Sequence, residues 1–347
     1  MRVLVSGGAG YIGSHTVVHL TAAGHQVVVV DNFGNAKPAV MARVDALTNI
    51  HIPVHAFDLT DRDKTEALFA SEQFDAVVHF AGLKAVGESV DIPLDYYENN
   101  LQSTFSLLRA MRRHDCSTLV FSSSATVYGK KAPVPYQEDY EPLVADSPYG
   151  RTKVVVEQVL RDVASVDPTW RIAVLRYFNP VGAHPSGTIG EDPQGIPNNL
   201  MPFIAQVAVG RREKLHIFGD DYPTADGTCE RDYIHVEDLA AGHVAALGRI
   251  ASSEAPIRVW NLGTGRGTSV LEMVRAFERA TGLTVPYDIV GRRAGDLAAF
   301  WADPTRANQE LGWVASKGVD DMCADTWRWQ SANPHGYENG TNVANGS

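Results

Sequence analysis

Cysteine is scarce in this chain of 347 residues, where Cys116, Cys229 and Cys323 are the only three. They are far apart, and no two of them form a C-x-x-C pair. Without that spacing, neither a metal site nor a disulfide framework is expected. Isolated thiols of this kind are typical of buried, reduced cysteines in a globular protein. We therefore expect no metal cofactor.

Long hydrophobic runs are missing as well. No stretch approaches the roughly 20 apolar residues that are needed to span a bilayer. The first residues, Met1-Arg2-Val3-Leu4-Val5-Ser6, form an apolar run that is too short for the core of a signal peptide and leads directly into glycines. These features predict a cytoplasmic protein that does not insert into a membrane.

Positive charge is in deficit, because 30 Lys and Arg face 41 Asp and Glu, for a net charge of -11. Proteins that bind nucleic acid generally need a surplus of Lys and Arg to meet the phosphates, so a nucleic-acid partner is not expected. A small anionic substrate is still compatible with this charge. Local donors and helix N-termini hold a diphosphate whatever the global charge.

Short apolar runs alternate with stretches of helical length through the first half of the chain. The predicted strands are Arg2–Ser6, Gln26–Val30, Pro53–Phe57, Asp75–His79, Thr118–Ser122 and Arg171–Arg176. The predicted helices include Tyr11–Ala23, Leu94–His114 and Tyr149–Val166. The strands are almost continuously apolar, which is typical of strands buried on both faces. Repeated βα units of this type predict an α/β fold with a doubly wound parallel sheet.

The glycines that follow the first strand carry the first functional signal. Gly7, Gly10 and Gly13 satisfy G-x-x-G-x-x-G, and the segment opens a predicted helix. Glycines let the backbone approach a pyrophosphate, and the helix N-terminus presents free N–H groups to it. A bare glycine motif is equally typical of a structural turn. The strand before it and the helix after it favour a dinucleotide site.

Acidic residues at the ends of the next strands fit the same site. Asp31 ends the second strand, about 20 residues beyond the glycines, where a carboxylate accepts from both ribose hydroxyls and repels a 2′-phosphate. NAD is therefore favoured over NADP, although Asn32 and Lys37 lie near enough to weaken the preference. Asp58, after the third strand, suits an adenine amino group or, equally, the capping of a loop.

The composition of the sequence changes after about Asn179, where Pro, Gly and Asn become frequent. We predict a nucleotide-binding Rossmann domain at residues 1–178, a smaller α/β substrate lobe at residues 179–332 with the chain free to cross between the two, and a disordered tail at residues 333–347. Elements of the second lobe are predicted at Asn199–Val209, Lys214–Phe218, Val236–Arg249, Ile257–Trp260, Ser269–Thr281, Thr284–Ile289 and Val319–Gln330.

Three residues form a candidate catalytic set. Tyr149 and Lys153 stand one helical turn apart, so both side chains lie on the same face of the helix, where the ammonium can lower the phenol pKa. A Y-x-x-x-K pair alone also occurs on solvent-facing helices. Ser124 changes that interpretation, since it follows the fifth strand and reaches the same edge of the sheet.

Several longer segments resemble the extended short-chain dehydrogenases/reductases, and among them the UDP-glucose 4-epimerase family. The segments are Phe80–Ser89, Ser122–Gly129, Arg176–Ala183, Pro193–Leu200 and Arg231–His235. The resemblance extends from the glycine loop to Trp329. It implies a tightly bound NAD, a UDP-hexose substrate and a homodimer.

The family resemblance also implies a reaction, the interconversion of UDP-galactose and UDP-glucose. Tyr149, as phenolate, removes the proton of the sugar 4-hydroxyl while hydride leaves C4 for the nicotinamide, and Ser124 hydrogen-bonds the same oxygen. Lys153 supports the phenolate. The 4-keto sugar then swings about its diphosphate and takes the hydride back on its other face.

The residues that contact each ligand follow by position. NAD contacts are implied at Gly7, Gly10, Tyr11, Ile12, Gly13, Asp31, Asn32, Asn35, Asp58, Leu59, Phe80, Ala81, Gly82, Lys84, Asn99 and Phe178. UDP-sugar contacts are implied at Asn179, Asn199, Leu200, Arg231, Tyr233, Arg293, Asp296 and Phe300. The two arginines also fit on physical grounds, because a diphosphate is bound well by guanidinium groups.

Other functions on the same fold stay open to different degrees. A 4,6-dehydratase needs an acidic pair just after the catalytic hydroxyl, and here Ala125 and Thr126 hold those positions. Epimerases of UDP-glucuronate or UDP-xylose share most of the site. A protein that senses the redox state of NAD without turnover has no need of Ser124, Tyr149 and Lys153 together, and loss of activity in Tyr149→Phe would argue against it.

Phe300 stands where many members of the family carry Tyr, which keeps the ring and loses a hydroxyl. A bulky ring at this position should crowd an N-acetyl group at C2 of the sugar. We therefore expect UDP-N-acetylhexosamines to be poor substrates. Initial rates with UDP-galactose and UDP-N-acetylglucosamine, measured on one preparation, test this. Comparable rates for the two would contradict it.

Overall fold

Strands and helices alternate along the chain in the computed structural model, which describes residues 1–293 and 295–337. The strands are β1 Arg2–Ser6, β2 Gln26–Asp31, β3 Val54–Ala56, β4 Ala76–His79, β5 Thr118–Ser122, β6 Arg171–Tyr177, β7 Asn179–Val181, β8 Leu215–Phe218, β9 Glu230–Arg231, β10 Tyr233–His235, β11 Ile257–Leu262, β12 Thr268–Ser269, β13 Tyr287–Val290 and β14 Ala299–Phe300. The helices are α1 Tyr11–Ala22, α2 Ala39–Thr48, α3 Arg62–Ser71, α4 Glu88–Asp91, α5 Pro93–Arg113, α6 Pro148–Val166, α7 Leu200–Ala208, α8 Val236–Ala251, α9 Val270–Thr281, α10 Thr305–Leu311 and α11 Val319–Ala332.

Seven of the described strands form one parallel sheet in the order β11-β6-β5-β4-β1-β2-β3. β1 lies near the middle, where Val5 faces Val29 of β2 and Val78 of β4. All three valines are fully buried, as expected for strands covered on both faces. The predicted doubly wound α/β fold is confirmed, and the six strands predicted in the first half are present with their ends shifted by at most one residue.

Helices cover both faces of this sheet, and an apolar core fills the space on each side. One core joins the sheet to α1, α2 and α8, with Val17, Val44 and Leu247 as members. The other joins it to α3, α5 and α6, with Phe69 and Leu107 as members. Two-sided coverage leaves the ends of the strands as the place where side chains from different elements can meet.

A smaller lobe is built from α7, α9 and α11 with the paired strands β8 and β13 around a separate core. The prediction for this lobe was wrong for two elements. β11 continues the main sheet by pairing with β6, and α8 packs against α1. The physical reason is their burial: Trp260, Leu262 and Leu247 are fully buried within the core on the α1 face.

The last described residues fold onto the body of the protein. Tyr337 is 5% exposed, its ring centroid lies 4.6 Å from that of Trp329, and its hydroxyl donates to the Gly190 carbonyl at 3.1 Å. The prediction of a disordered tail from residue 333 is therefore wrong for residues 333–337, which aromatic packing holds in place. The rest of the predicted tail, residues 338–347, lies outside the described residues.

Cys116, Cys229 and Cys323 are buried, unpaired thiols. Within residues 1–293 and 295–337, no group of His, Cys, Asp and Glu side chains is arranged to hold a metal ion. In the same part of the chain, no helix combines the length and the apolar character that crossing a bilayer requires.

Candidate active site

The glycine turn between β1 and α1 is packed so tightly that two of its glycines leave no space for a side chain. A Cβ on Gly7 would lie 2.8 Å from the Ala81 nitrogen, and one on Gly13 would lie 2.2 Å from the Gly7 oxygen. Gly10, Tyr11 and Ile12 form the entry to α1, and no side chain caps its first turn. The helix N-terminus therefore presents N–H groups and the positive end of its dipole at the edge of the sheet.

The acidic residue that ends β2 and the one that follows β3 lie beside this turn. Asp31 Oδ2 accepts from the Ala9 N–H at 3.0 Å, and its Oδ1 accepts from the Phe33 N–H at 2.8 Å. Burial raises the Asp31 pKa, while these two hydrogen bonds lower it. Each carboxylate oxygen still has a lone pair for a further donor. Asn32 Nδ2 donates to Asp58 Oδ2 at 2.7 Å, so the three predicted residues form one polar edge.

Asp58 also performs the loop-capping role that the sequence left open. Its Oδ1 accepts from the Thr60 N–H and the Thr60 hydroxyl, both at 2.8 Å. These hydrogen bonds, with that from Asn32, lower the Asp58 pKa against the effect of its burial. Leu59 is buried behind it, and Asn35 is exposed.

The segment after β4 brings Phe80, Ala81 and Gly82 against the glycine turn. Its anchor is Asn100, which the sequence analysis missed: Asn100 Oδ1 accepts from the Leu83 N–H at 2.7 Å. The predicted Asn99 lies next to it, half-exposed.

Helical spacing could have identified Asn100 as the buried member of the pair of asparagines. Tyr96, Asn100 and Thr104 stand four residues apart, and all three are buried on the same face of α5.

Ser124, Tyr149 and Lys153 come together at the carboxyl edge of the sheet. Ser124 lies two residues beyond the end of β5 and accepts from the Thr126 hydroxyl at 3.0 Å. Lys153 Nζ donates to the Ser122 carbonyl at 2.9 Å and lies 5.9 Å from the centroid of the Tyr149 ring. The three side chains are each less than 9% exposed, so their ionisation is governed by a dry environment.

Burial sets the pKa values of this set. It raises the pKa of Tyr149 well above its ordinary value, Tyr177 adds to the rise, and a hydrogen bond with Ser124 lowers it. Burial lowers the pKa of Lys153 to about 8, against the effect of Glu157. Burial therefore governs the phenol in the chain by itself, and a lowering of the Tyr149 pKa by the Lys153 ammonium stays a prediction.

A buried ion pair fixes the position of α6 and its catalytic side chains. Glu157, one turn after Lys153, accepts from Arg176 Nη2 of β6 at 2.7 Å and from the Ser123 hydroxyl at 2.6 Å. Both charged side chains are fully buried. The pair ties α6 to β6 and to the residue before Ser124, so it sets the geometry of the catalytic set.

Across the site, one carboxylate organises the two predicted arginines. Asp296 Oδ1 lies 2.9 Å from Arg293 Nη2 and 3.6 Å from Arg231 Nη2. Arg231 also donates to the Leu297 carbonyl at 2.8 Å. The two guanidinium groups are therefore held side by side, an arrangement that suits a ligand with two phosphates.

An aromatic cluster holds Phe300 in place. Its ring stacks on Tyr136 with centroids 5.8 Å apart, lies 6.1 Å from Phe178, and has the Arg231 guanidinium carbon 4.7 Å from its centroid. The cluster brings the predicted cofactor residue Phe178 and the predicted substrate residues Phe300 and Arg231 together.

The remaining predicted substrate residues lie on β7, on β10 and at the start of α7. Asn179 begins β7, Leu200 begins α7, and Tyr233 is buried in β10, where burial raises its pKa to about 12. Asn199 precedes α7, and its Nδ2 donates to Glu191 Oε1 at 3.2 Å.

Glu191 is a residue that the sequence analysis missed. Its side chain is 9% exposed, lies 3.7 Å from Lys84 Nζ and also accepts from Asn199, so it joins a predicted cofactor residue to a predicted substrate residue. Burial raises its pKa. Phe218, at the end of β8, was missed as well, and it lies beneath the Arg293 guanidinium, whose carbon is 5.5 Å from the ring centroid. Neither residue has a sequence signal of its own.

The chain is similar to known sequences over almost its whole length. The model of the NAD dependent epimerase/dehydratase family matches residues 3–263. The UDP-glucose 4-epimerase of Bacillus subtilis (strain 168) is 56% identical over 338 residues, which cover 97% of this chain and 99% of that protein. The UDP-glucose 4-epimerase of Mus musculus is 54% identical over 342 residues, with 97% and 98% covered.

Solved structures agree with these matches. The fold is similar to that of UDP-glucose 4-epimerase from Bifidobacterium longum in complex with NAD+ and UDP, with a TM-score of 0.93 and 50% identity over 97% of this chain and 100% of that one. The enzyme from Stenotrophomonas maltophila, with bound NAD and formylated UDP-arabinopyranose, gives a TM-score of 0.93 and 51% identity, with 96% and 99% covered. The chain therefore belongs to the NAD dependent epimerase/dehydratase family.

Proposed function

We propose that the protein interconverts UDP-galactose and UDP-glucose by reversible oxidation at C4 of the sugar. The observation that carries this is that Ser124, Tyr149 and Lys153 meet at the carboxyl edge of the sheet from which the glycine turn also leads, while Asp296 holds Arg231 and Arg293 together. One half of such a site suits a dinucleotide and a proton transfer, and the other half suits a diphosphate. The names of the relatives, more than half identical to this chain, support the same substrates.

The shape of the glycine turn and the side chains beside it would suit NAD. The glycine turn has no space for Cβ atoms and ends at an uncapped helix, which suits a pyrophosphate. Asp31 and Asn32 lie at the end of β2 beside the glycine turn, where the adenosine ribose of a bound dinucleotide would lie. When bound, NAD supplies the reversible two-electron oxidant that a change of configuration at C4 requires.

Tyr149 is the proposed base for the sugar 4-hydroxyl. Burial favours its neutral phenol, so the phenolate needs cationic support. Lys153 is fixed by Ser122 within reach of the ring, and the Ser124 hydroxyl supplies a hydrogen bond that favours the ionised form. The same groups return the proton when the 4-keto sugar is reduced.

The substrate half of the site must hold UDP firmly and the sugar loosely. Arg231 and Arg293, oriented by Asp296, are the proposed partners of the diphosphate, and Asn179, Asn199, Leu200 and Tyr233 are the other proposed contacts. With the diphosphate fixed, rotation about its bonds presents either face of the keto sugar to the cofactor. Ala125 and Thr126 carry no acid next to Ser124, so nothing there promotes loss of water.

A homodimer in the cytoplasm completes the proposal. Leu94, Leu101 and Phe105 recur at helical spacing on α5, and Leu94 is 74% exposed. Val86, Val90 and Ile92, which precede it, are exposed as well, and clustered exposed apolar side chains often mark a surface that a partner covers. Sedimentation analysis should give the mass of two chains at micromolar concentration, and a single-chain mass at every concentration would contradict the dimer. Recovery of the tagged protein outside the cytoplasmic fraction would contradict the location.

Replacing Tyr149 with Phe should remove the proton acceptor and leave the binding surfaces intact. We expect turnover of UDP-galactose to fall by about 10²- to 10⁴-fold, the usual contribution of a general base. UDP affinity and retained NAD should change little. Formation of UDP-glucose without added cofactor is the measurement.

Tyr287→Phe is the matched control, because Tyr287 is an exposed tyrosine of β13 that takes no part in the site. Its turnover should equal that of the wild type. A Tyr149→Phe variant within about threefold of the wild type would rule out the proposed base.

Lys153 should make the folded chain less stable near neutral pH. Its pKa falls from 10.5 to about 8 on folding. Below about pH 8 the folded and unfolded chains both keep the proton, so the full cost of burial is present. Between about pH 8 and 10.5 only the unfolded chain keeps it, so stability rises with pH.

Lys153→Met, stripped of NAD, should therefore be more stable than the stripped wild type at about pH 7, by up to about 3 kcal/mol. The difference should shrink towards about pH 10. Urea unfolding at several pH values measures it, with Lys131→Met at an exposed lysine as the control. A difference that stays constant over this range would refute the cause given for the lowered pKa.

A further inference from the structure

Two loops from distant parts of the chain are joined by an ion pair. The first is residues 33–38, between β2 and α2, and is called the β2 loop; the second is residues 187–194, between β7 and α7, and is called the β7 loop. Lys37 Nζ lies 2.9 Å from Asp192 Oδ2, and the two side chains are 32% and 9% exposed. Because the Lys37 side chain is about a third exposed, dissolved salt can still screen the pair.

A hydrogen bond and the C-terminal residues support the ion pair. Gln194 Nε2 donates to the Gly34 carbonyl at 3.3 Å, which joins the same two loops. The Tyr337 N–H donates to Asp192 Oδ2 at 2.9 Å, and this hydrogen bond helps to hold the carboxylate in position for Lys37. The Tyr337 hydroxyl in turn accepts from the Gly190 N–H at 2.9 Å.

Arg43 of α2 extends the connection behind the β2 loop. Its guanidinium carbon lies 4.8 Å from the ring centroid of Tyr337 and 5.4 Å from that of Trp329. Its Nη1 donates to the Thr188 carbonyl at 2.9 Å and to Asn333 Oδ1 at 2.7 Å. The element that follows the β2 loop is therefore anchored to the β7 loop and to the C-terminal residues.

We propose that Lys37 and Asp192 form a clasp that closes the β2 and β7 loops over the adenosine end of bound NAD and slows its release. The inference rests on the proposed function, which places the adenosine ribose at Asp31, two residues before the β2 loop. For the cofactor to leave past this edge, the two loops must separate. Separation breaks the ion pair and the Gln194 hydrogen bond together. Lys37 and Asp192 act as positioning residues, since neither is required to touch a reacting atom.

The test measures release of NAD from the purified holoenzyme. A coupled dehydrogenase with excess alcohol reduces every released NAD, and the absorbance of NADH reports the rate. We compare the wild type, Lys37→Met, Asp192→Asn and the double variant. Lys64→Met is the matched control, because Lys64 pairs with Asp61 inside the first turn of α3 and joins no loops.

Each single variant should release NAD about fivefold faster, which corresponds to about 1 kcal/mol of lost stabilisation. The double variant should match the single ones, because both remove the same interaction. Raising the salt concentration should speed release from the wild type and leave Lys37→Met almost unchanged, a response that a purely structural role would not give. Turnover should be unchanged in Lys64→Met, which lies outside the clasp.

Equal release from the wild type and Lys37→Met would overturn the clasp and leave the proposed function standing. Additive effects in the double variant would overturn it as well, because the two residues would then act separately. A wild type that never holds NAD would overturn both the clasp and the proposed function. Lys64→Met should release NAD like the wild type, and a faster rate there would show that loss of any surface lysine has the same effect.

Discussion

The buried carboxylate of Glu157 is the constraint on which the arrangement of reactive side chains depends. It accepts hydrogen bonds from Ser123 after β5 and from Arg176 in β6, one helical turn beyond Lys153. A charge in a protein core is tolerated only with partners of this kind, and removing one partner is costly. Helix α6 and the two strands therefore keep one relative position. That position sets both the dry environment of Tyr149 and the contact of Lys153 with the backbone.

Much of the main sheet could be predicted from the sequence, because strands buried on both faces leave an almost continuous apolar run and glycine punctuates the first turn. What the pattern does not contain is the partner of each strand. The apolar run at β11 was recognised as a strand and placed in the wrong lobe, because an apolar run shows that a strand is buried and does not show which elements cover it. Tyr337 was missed because its neighbours in the sequence are polar, so the pattern gave no sign that this one aromatic side chain is buried.

Some residues of the site could likewise be predicted from the sequence, and others could not. Residues at or just beyond strand ends could be assigned because parallel strands deliver them to a common edge, and Asp31, Gly82 and Ser124 are examples. Glu191 and Phe218 act through contacts with side chains far away in sequence, and a single sequence carries no record of such pairs. The effect of burial on the Tyr149 pKa could not be predicted, because spacing shows which charge is near and not how much water has been removed.

The chain forms part of the smaller lobe and then returns to the main sheet at β11. This path limits where the protein can be cut into fragments that fold. Residues 1–178 end at β6, yet β11 supplies the neighbouring edge strand and α8 covers the α1 face. A fragment cut at that boundary would expose Val17 and Leu20 of α1 to water and would leave β6 as an open sheet edge. The two lobes are thus regions of one folding unit. Cofactor and substrate halves cannot be exchanged between relatives by a single crossover.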